Sequence, residues 1–263
     1  MPLPRIHAVE LHERPGCPAL FRRIATDYLR TVGEVFGAFE PVAPVLARAL
    51  ERHGARRIID LCSGGGGPTI KLAESIQARL GFAPEVVLTD LYPNLEAFAW
   101  SRARALVPVS FERSRVDALA VPEHLHGVRT VFDAFHHFRP AQARAMLADA
   151  ARKRAPLLVV EATERSFPAM IGMLLFVPLF VLLLTPFVRP FSWGRLLFTY
   201  VIPVAVPLIV FDGIVSCLRS YTPEELRAMT KDLEAADFRC EIGRLPSRGG
   251  TLTYLLGMPE TAL

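Results

Sequence analysis

Hydrophobic positions fall into three textures along the chain. Between residues 17 and 56, Leu20, Phe21, Ile24, Tyr28, Leu29 and Val32 recur at helical spacing, and Val42, Val45, Leu46 and Leu50 repeat it before His53-Gly54. Two amphipathic helices are predicted there, ahead of the main domain. From Ala55 short unbroken apolar runs alternate with helical stretches. RRIIDL, EVVLTDL, VSFERSRVDAL, VRTVFDAF and APLLVVEAT read as strands one to five. PTIKLAESIQARL closed by Gly81, LEAFAWSRARAL and AQARAMLADAARKR read as the helices between them. Strands apolar on both sides, each followed by a helix, predict an α/β fold with a parallel sheet covered on both faces.

The third texture begins after Glu161. Residues 167–188 and 196–211 contain no charge, and RPFSWGR joins them. Ordinary texture returns in YTPEELRAMTKDLEAADF, a helix opened by Thr222, Pro223 and Glu225, and in two closing strands, RCEIGRLPS and GTLTYLLGM, that read as a hairpin around Arg248-Gly249-Gly250. The organisation expected is a helical cap (1–54), an α/β core (55–165), a hydrophobic helical hairpin inserted at 166–214, and a C-terminal helix and β-hairpin completing the core (215–263).

Composition sharpens this picture at three points. Of 30 Lys and Arg, three are Lys, and the net charge of +4 is spread without a basic run, which argues against nucleic acid as a partner. The Arg bias suggests a high-GC genome, and a bacterial-type membrane is the setting expected. Cys17, Cys62, Cys217 and Cys240 form no CxxC pair, so no metal site and no disulfide framework is expected from them. The first 16 residues hold no apolar core of a secretory signal, so a cytoplasmic protein is expected.

The strongest functional signal is Asp60-Leu61-Cys62-Ser63-Gly64-Gly65-Gly66-Gly67-Pro68, where a strand ends and a helix begins. Glycines there let backbone approach a ligand, and the helix N-terminus offers free N–H groups. A P-loop would need Gly-Lys-Ser/Thr where Gly-Pro-Thr stands, and a dinucleotide fingerprint would need Gly or Ala at Thr69. The stretch resembles the first motif of class I S-adenosylmethionine (SAM)-dependent methyltransferases, with Cys62 in place of the first glycine. The resemblance continues through Asp90, at the end of the second strand, and Asp117-Ala118, after the third. It implies a Rossmann-like methyltransferase fold, with a mostly parallel seven-stranded sheet, helices on both faces and a hydrophobic helical insertion. It further implies SAM as cofactor, held by Asp60, Cys62, Ser63, Gly64, Gly66, Asp90, Leu91, Asp117, Ala118, Asp133 and Phe135. Asp90 would serve the ribose hydroxyls and Asp117-Ala118 the adenine.

Methyl transfer needs proximity first, and a base when the acceptor is a hydroxyl or an acid. His136 and His137, beyond the fourth strand, are the candidates for that base, and Glu161 is a candidate for orienting the substrate. Phe21, Arg22 and Tyr28 are placed to form a lid over the donor or simply to pack in the core.

The uncharged run of 22 residues is long enough to span ~30 Å of hydrocarbon. Pro168, Pro178, Pro186, Pro190, Pro203 and Pro207 interrupt the block, and Arg189 and Arg195 sit in its connector. A hairpin dipping into one leaflet keeps those arginines at headgroup level with Trp193 and Tyr200 as anchors, and is preferred to full spanning. The function expected is methyl transfer to a hydrophobic small molecule or lipid at the cytoplasmic face of the membrane. Two alternatives stand: a soluble methyltransferase whose apolar block is a substrate cap or dimer interface, and a non-catalytic SAM-binding scaffold. The α/β core is expected to bind the donor without the block. Oligomeric state is left open.

Overall fold

The computed structural model describes residues 3–260. An irregular N-terminal segment leads into α1 (Ala19–Phe36) and α2 (Ala43–His53), which end on Gly37 and Gly54 in left-handed conformation. Then follow β1 (Arg57–Leu61), α3 (Thr69–Leu80), β2 (Glu85–Leu88), α4 (Leu95–Arg102), β3 (Val109–Phe111), β4 (Val128–Phe132), α5 (Pro140–Arg152) and β5 (Leu157–Glu161). The apolar block forms α6 (Phe167–Leu184), a short α7 (Trp193–Leu196) continuing into a wide turn to Val201, and α8 (Ala205–Arg219). The chain closes with α9 (Pro223–Thr230), β6 (Phe238–Ser247) and β7 (Gly250–Pro259).

The seven strands run in the order β3-β2-β1-β4-β5-β7-β6. All pairs are parallel except those of β7, which is antiparallel to both β5 and β6. Side chains alternate between two cores, as strand geometry requires. Ile58, Leu158 and Val160 pack under α2 and α3, whereas Ile59, Val159 and Leu255 pack under α5 and α9. The capping box at Thr222 and Glu225 starts α9, and Gly81 closes α3.

Two elements differ from the sequence expectation. The third strand stops at Phe111, because its partner β2 ends at Leu88; the following Thr89 turns back to bond Asp60 and Ser63. Ser114–Leu119 therefore runs as irregular chain, tied to the continuation of β2 by Val116 N–H on the Asp90 carbonyl (3.0 Å). The insertion does not end at residue 214, since α8 continues unbroken to Arg219.

A third, smaller core unites α1 with the insertion: Ile24 and Tyr28 pack with Val181, Ala205 and Ile209. α6 thus lies against α1. Among the described residues one helical stretch, Phe167–Phe187, is long and apolar enough to cross a membrane, and the second arm bends by 89° at its break. Ile171, Leu174, Leu175, Leu179, Leu182 and Leu183 form an exposed stripe along α6. Trp193 and Tyr200 are exposed as expected of anchors. Arg195 is not at a surface: it is buried and paired with Asp27 of α1.

Candidate active site

The turn after β1 is built from alternating left-handed residues, Cys62 (φ 58°), Gly64 (φ 54°) and Gly66 (φ 117°). A side chain at Gly65 is excluded by proximity, since a Cβ there would stand 2.8 Å from the carbonyl oxygen of Thr26. α1 therefore sits directly on the turn, and the glycine run serves helix packing as well as ligand approach. Asp60 fixes the turn from below. Its Oδ1 accepts from Thr69 Oγ1 (2.5 Å) and Thr130 Oγ1 (2.7 Å), tying β1 to α3 and β4. Burial pushes its pKa up to about 6, against the pull of those hydroxyls. Ser63 Oγ donates to the Asp60 carbonyl (2.9 Å), and burial with nearby Asp90 keeps the Cys62 thiol protonated.

Asp90 spans two loops: Oδ2 accepts from Gly64 N–H and Oδ1 from Tyr92 N–H, both at 2.8 Å. Each carboxylate oxygen keeps a lone pair for a further donor. These residues open on one cavity of about 870 Å³ beyond the carboxyl ends of β1 and β4. Asp60, Cys62, Ser63, Gly64, Asp90, Leu91 and Asp133 line it, as do His136 and His137. Asp133, in left-handed conformation, accepts from Ala162 N–H (2.5 Å), and burial and Glu161 push its pKa to about 7.

Four residues expected at the donor stand outside the cavity lining. Phe135 is fully buried against α5 and α9, and Ala118 packs in the same core. Asp117 is exposed, and its Oδ1 accepts from Leu119 N–H to close a local turn. Gly66 faces Ser101, whose Oγ would be 2.8 Å from a Cβ. Of the proposed lid, Arg22 lines the cavity and stacks on Tyr92, Tyr28 lines it while also packing against the insertion, and Phe21 packs against the insertion alone.

The polar end of the cavity is formed by the turn after β4, the end of β5, the N-terminal segment and α8. Glu161 accepts from Phe135 N–H (2.7 Å) and holds His136 Nδ1 at 2.5 Å. It does not line the cavity; it positions the histidine turn. Glu10 approaches the other side of that ring, 3.4 Å from Nε2. Burial alone would lower the His136 pKa, but Glu161 and Glu10 outweigh it and hold the ring protonated to about pH 10. His137 stands beside Glu13 at 2.5 Å, and Arg219 pairs with Glu13 at 2.6 Å.

Glu10, His12, Glu13 and Asp212 were not among the sequence candidates. The N-terminal segment has no periodicity to draw attention to it. Asp212 did leave a signal, as the one acid in an otherwise apolar arm. It accepts from Leu11 N–H (2.6 Å), His12 N–H (3.2 Å) and His12 Nδ1 (2.9 Å), so it fastens the N-terminal segment to α8. The remaining wall is apolar and comes from the insertion: Met173 and Val177 of α6 and Ile209 of α8. The block is thus one of the walls, while the glycine turn and Asp90 come from the core.

Neither family models nor curated proteins match the sequence. Solved structures do match the fold. The plantazolicin methyltransferase BpumL, in complex with a monoazolic desmethylPZN analog and SAH, superposes with a TM-score of 0.56 at 12% identity, over 91% of this chain and 90% of that one. A putative O-methyltransferase from Nostoc punctiforme PCC 73102 gives a TM-score of 0.53 at 13% identity, over 97% of this chain and 64% of that one. The mitomycin 7-O-methyltransferase MmcR gives 0.51 at 18% identity, over 95% and 59%. At such identities the likeness concerns architecture, and the architecture is that of the class I SAM-dependent methyltransferases.

Proposed function

We propose that this protein is a SAM-dependent methyltransferase that modifies a hydrophobic small molecule or lipid reached from a membrane surface. The observation that carries the reading is the single cavity in which the glycine-rich turn and Asp90, the His136–His137 cluster and the apolar wall of Met173, Val177 and Ile209 face one another. Backbone of the Gly64–Gly67 turn and the free lone pairs of Asp90 fit the amino-acid end and the ribose of the donor. SAM would supply an electrophilic methyl group on a sulfonium.

The rest is the chain's own work. The apolar wall desolvates and orients the body of the acceptor, which raises the effective concentration of its nucleophilic atom. His137 activates an acceptor hydroxyl at the polar end, and His136, fixed and held protonated by Glu161 and Glu10, orients it. Neighbours with the same fold act on varied small molecules, which suits a cap of this kind. The exposed stripe on α6 supports one-leaflet docking on the cytoplasmic face: the helix lies along α1, one face on the cavity and the other facing outward.

Incubating the full chain with methyl-labelled SAM and a membrane lipid extract tests this directly. A labelled product that partitions into organic solvent is expected. Label recovered only in polar acceptors overturns the substrate class, and absence of SAM binding overturns the activity.

A further inference from the structure

The polar end of the cavity holds more carboxylate than cation. Glu10, Glu13, Glu161, Asp133 and Asp212 surround three histidines, and Arg219 pairs with Glu10 and Glu13. Burying that much like charge is costly unless something positive joins it.

Three ligand atoms converge in the same place. Glu10 Oε1 lies 3.4 Å from His136 Nε2 and 3.7 Å from His137 Nδ1, and one donor atom from each residue falls within 4.8 Å of the other two. Ligands bound at about 2.0–2.2 Å around a tetrahedral ion stand roughly 3.3–3.6 Å apart. His136 is 1% exposed, yet no hydrogen bond of normal geometry reaches its Nε2; His137 Nδ1 faces Glu13 Oε1 at 2.5 Å, a contact that a bound ion would displace. Glu161 on His136 Nδ1 reproduces the carboxylate that stands behind metal-binding histidines and fixes the ring with Nε2 forward. In the neighbouring set of Glu10, His12 and Asp212, three donors of the N-terminal segment hold Asp212, whereas Glu10 Oε1 accepts from Ser216 Oγ alone at normal distance (2.9 Å), with Arg219 at 3.4 Å. The Asp212 clamp is what delivers Glu10.

We propose that Glu10, His136 and His137 bind a divalent transition-metal cation of the zinc class at the acceptor end of the cavity. The inference deepens the methyltransferase reading and rests on it for the cation's role. Bound beside the acceptor hydroxyl, such an ion lowers that group's proton affinity. The O–H proton is released to bulk water, the freed oxygen forms the new C–O bond, and the methyl–sulfur pair stays on sulfur. The histidines act as ligands, with Glu161 as a positioning residue.

The test uses the full chain without an affinity tag, stripped with chelator and titrated with Zn²⁺ by calorimetry and with Co²⁺ by visible absorption. One ion per chain is expected, with the intense d–d bands of a four-coordinate site. Glu10→Gln and His137→Ala should each weaken binding at least 10-fold, and Glu161→Gln by roughly 10- to 100-fold. SAM titration of the same samples shows that each variant is folded and is scored separately. A wild-type chain that takes up SAM but no stoichiometric Zn²⁺ overturns the metal site and leaves the methyltransferase reading intact. So do variants that keep SAM binding and wild-type Zn²⁺ affinity. Stoichiometric Zn²⁺ lost in Glu10→Gln upholds the site even if SAM never binds, an outcome that removes the methyltransferase reading alone.

Discussion

Arg195 of the apolar insertion reaches Asp27 of α1 at 2.5 Å, and each side chain is only 4% exposed. The same guanidinium donates to the carbonyls of Val188 (3.1 Å) and Pro190 (2.9 Å), so one residue anchors the connector and ties it to the helix that covers the glycine turn. Asn94 at the start of α4 donates to the other Asp27 oxygen (3.1 Å). Insertion, cap helix and the start of α4 are thereby joined through one buried ion pair.

Removing one member of such a pair leaves an uncompensated buried charge. Arg195→Met should destabilise the fold by about 3–5 kcal/mol. The double variant with Asp27→Asn should recover much of that loss. Urea unfolding of the two singles and the double measures the coupling, and additive losses would show that the pair contributes nothing.

Asp60 gives a pH dependence with a definite sign. Burial lifts its pKa from 3.8 to about 6, so between those values the folded state holds more protons than the unfolded one. The associated stability is fully present below about pH 4 and is lost as pH rises through about 6. The difference is on the order of 3 kcal/mol by the usual conversion. Asp60→Asn keeps an acceptor for Thr69 and Thr130 and should flatten this part of the profile, read from urea midpoints between pH 4 and 8.

Asp90 and Asp117 should part company. Asp90→Asn is expected to weaken SAM binding by about 1.5–3 kcal/mol through loss of charge-assisted acceptance. Asp117→Asn, exposed and engaged in a turn, should change it by less than about 0.5 kcal/mol. Calorimetry on the two variants separates the roles, and equal effects would return Asp117 to the donor site.

His137 borders the cavity, and its replacement leaves the His136–Glu161 pair in place. His137→Ala should lower turnover roughly 10²- to 10⁴-fold with SAM affinity near normal. Unchanged turnover would remove this imidazole from acceptor activation.

The outer face of α6 can be changed without touching the cavity. Leu175→Glu, Leu179→Glu and Leu182→Glu together fall on exposed positions and should abolish co-sedimentation with anionic phospholipid vesicles, since apolar burial supplies ~25 cal/mol per Å². SAM binding should persist. A wild-type chain that stays in the supernatant as a monomer would leave the block as a substrate cap only.

The sheet was legible because β1, β2, β4 and β5 are buried on both faces and read as unbroken apolar runs. The helix ends were legible where Thr222, Glu225 and Gly81 carry local chemistry. Ser114–Leu119 misled because Val116 and Ala118 alternate with exposed residues as a strand would, while strand identity depends on a partner edge that pattern cannot report. Asp60, Asp90 and the paired histidines were legible from their place at strand ends. Glu10 and Glu13 were not, since they reach Arg219 across 206 and more positions of chain. Arg195 was misjudged for the opposite reason: flanked by apolar sequence it looks like an interfacial charge, and its buried partner lies 168 positions away.

The place of β7 has a consequence for how the molecule is made. It follows β6 in sequence, yet it lies between β5 and β6, so the edge of β5 stays open until residues 250–259 have emerged from the ribosome. The apolar helices emerge earlier, and one face of α6 finds no partner even in the finished fold. Synthesis therefore exposes an uncovered greasy helix beside an unpaired strand edge, the pairing through which nascent chains aggregate. Shelter of residues 167–187 during that interval is therefore expected to raise the yield of folded protein.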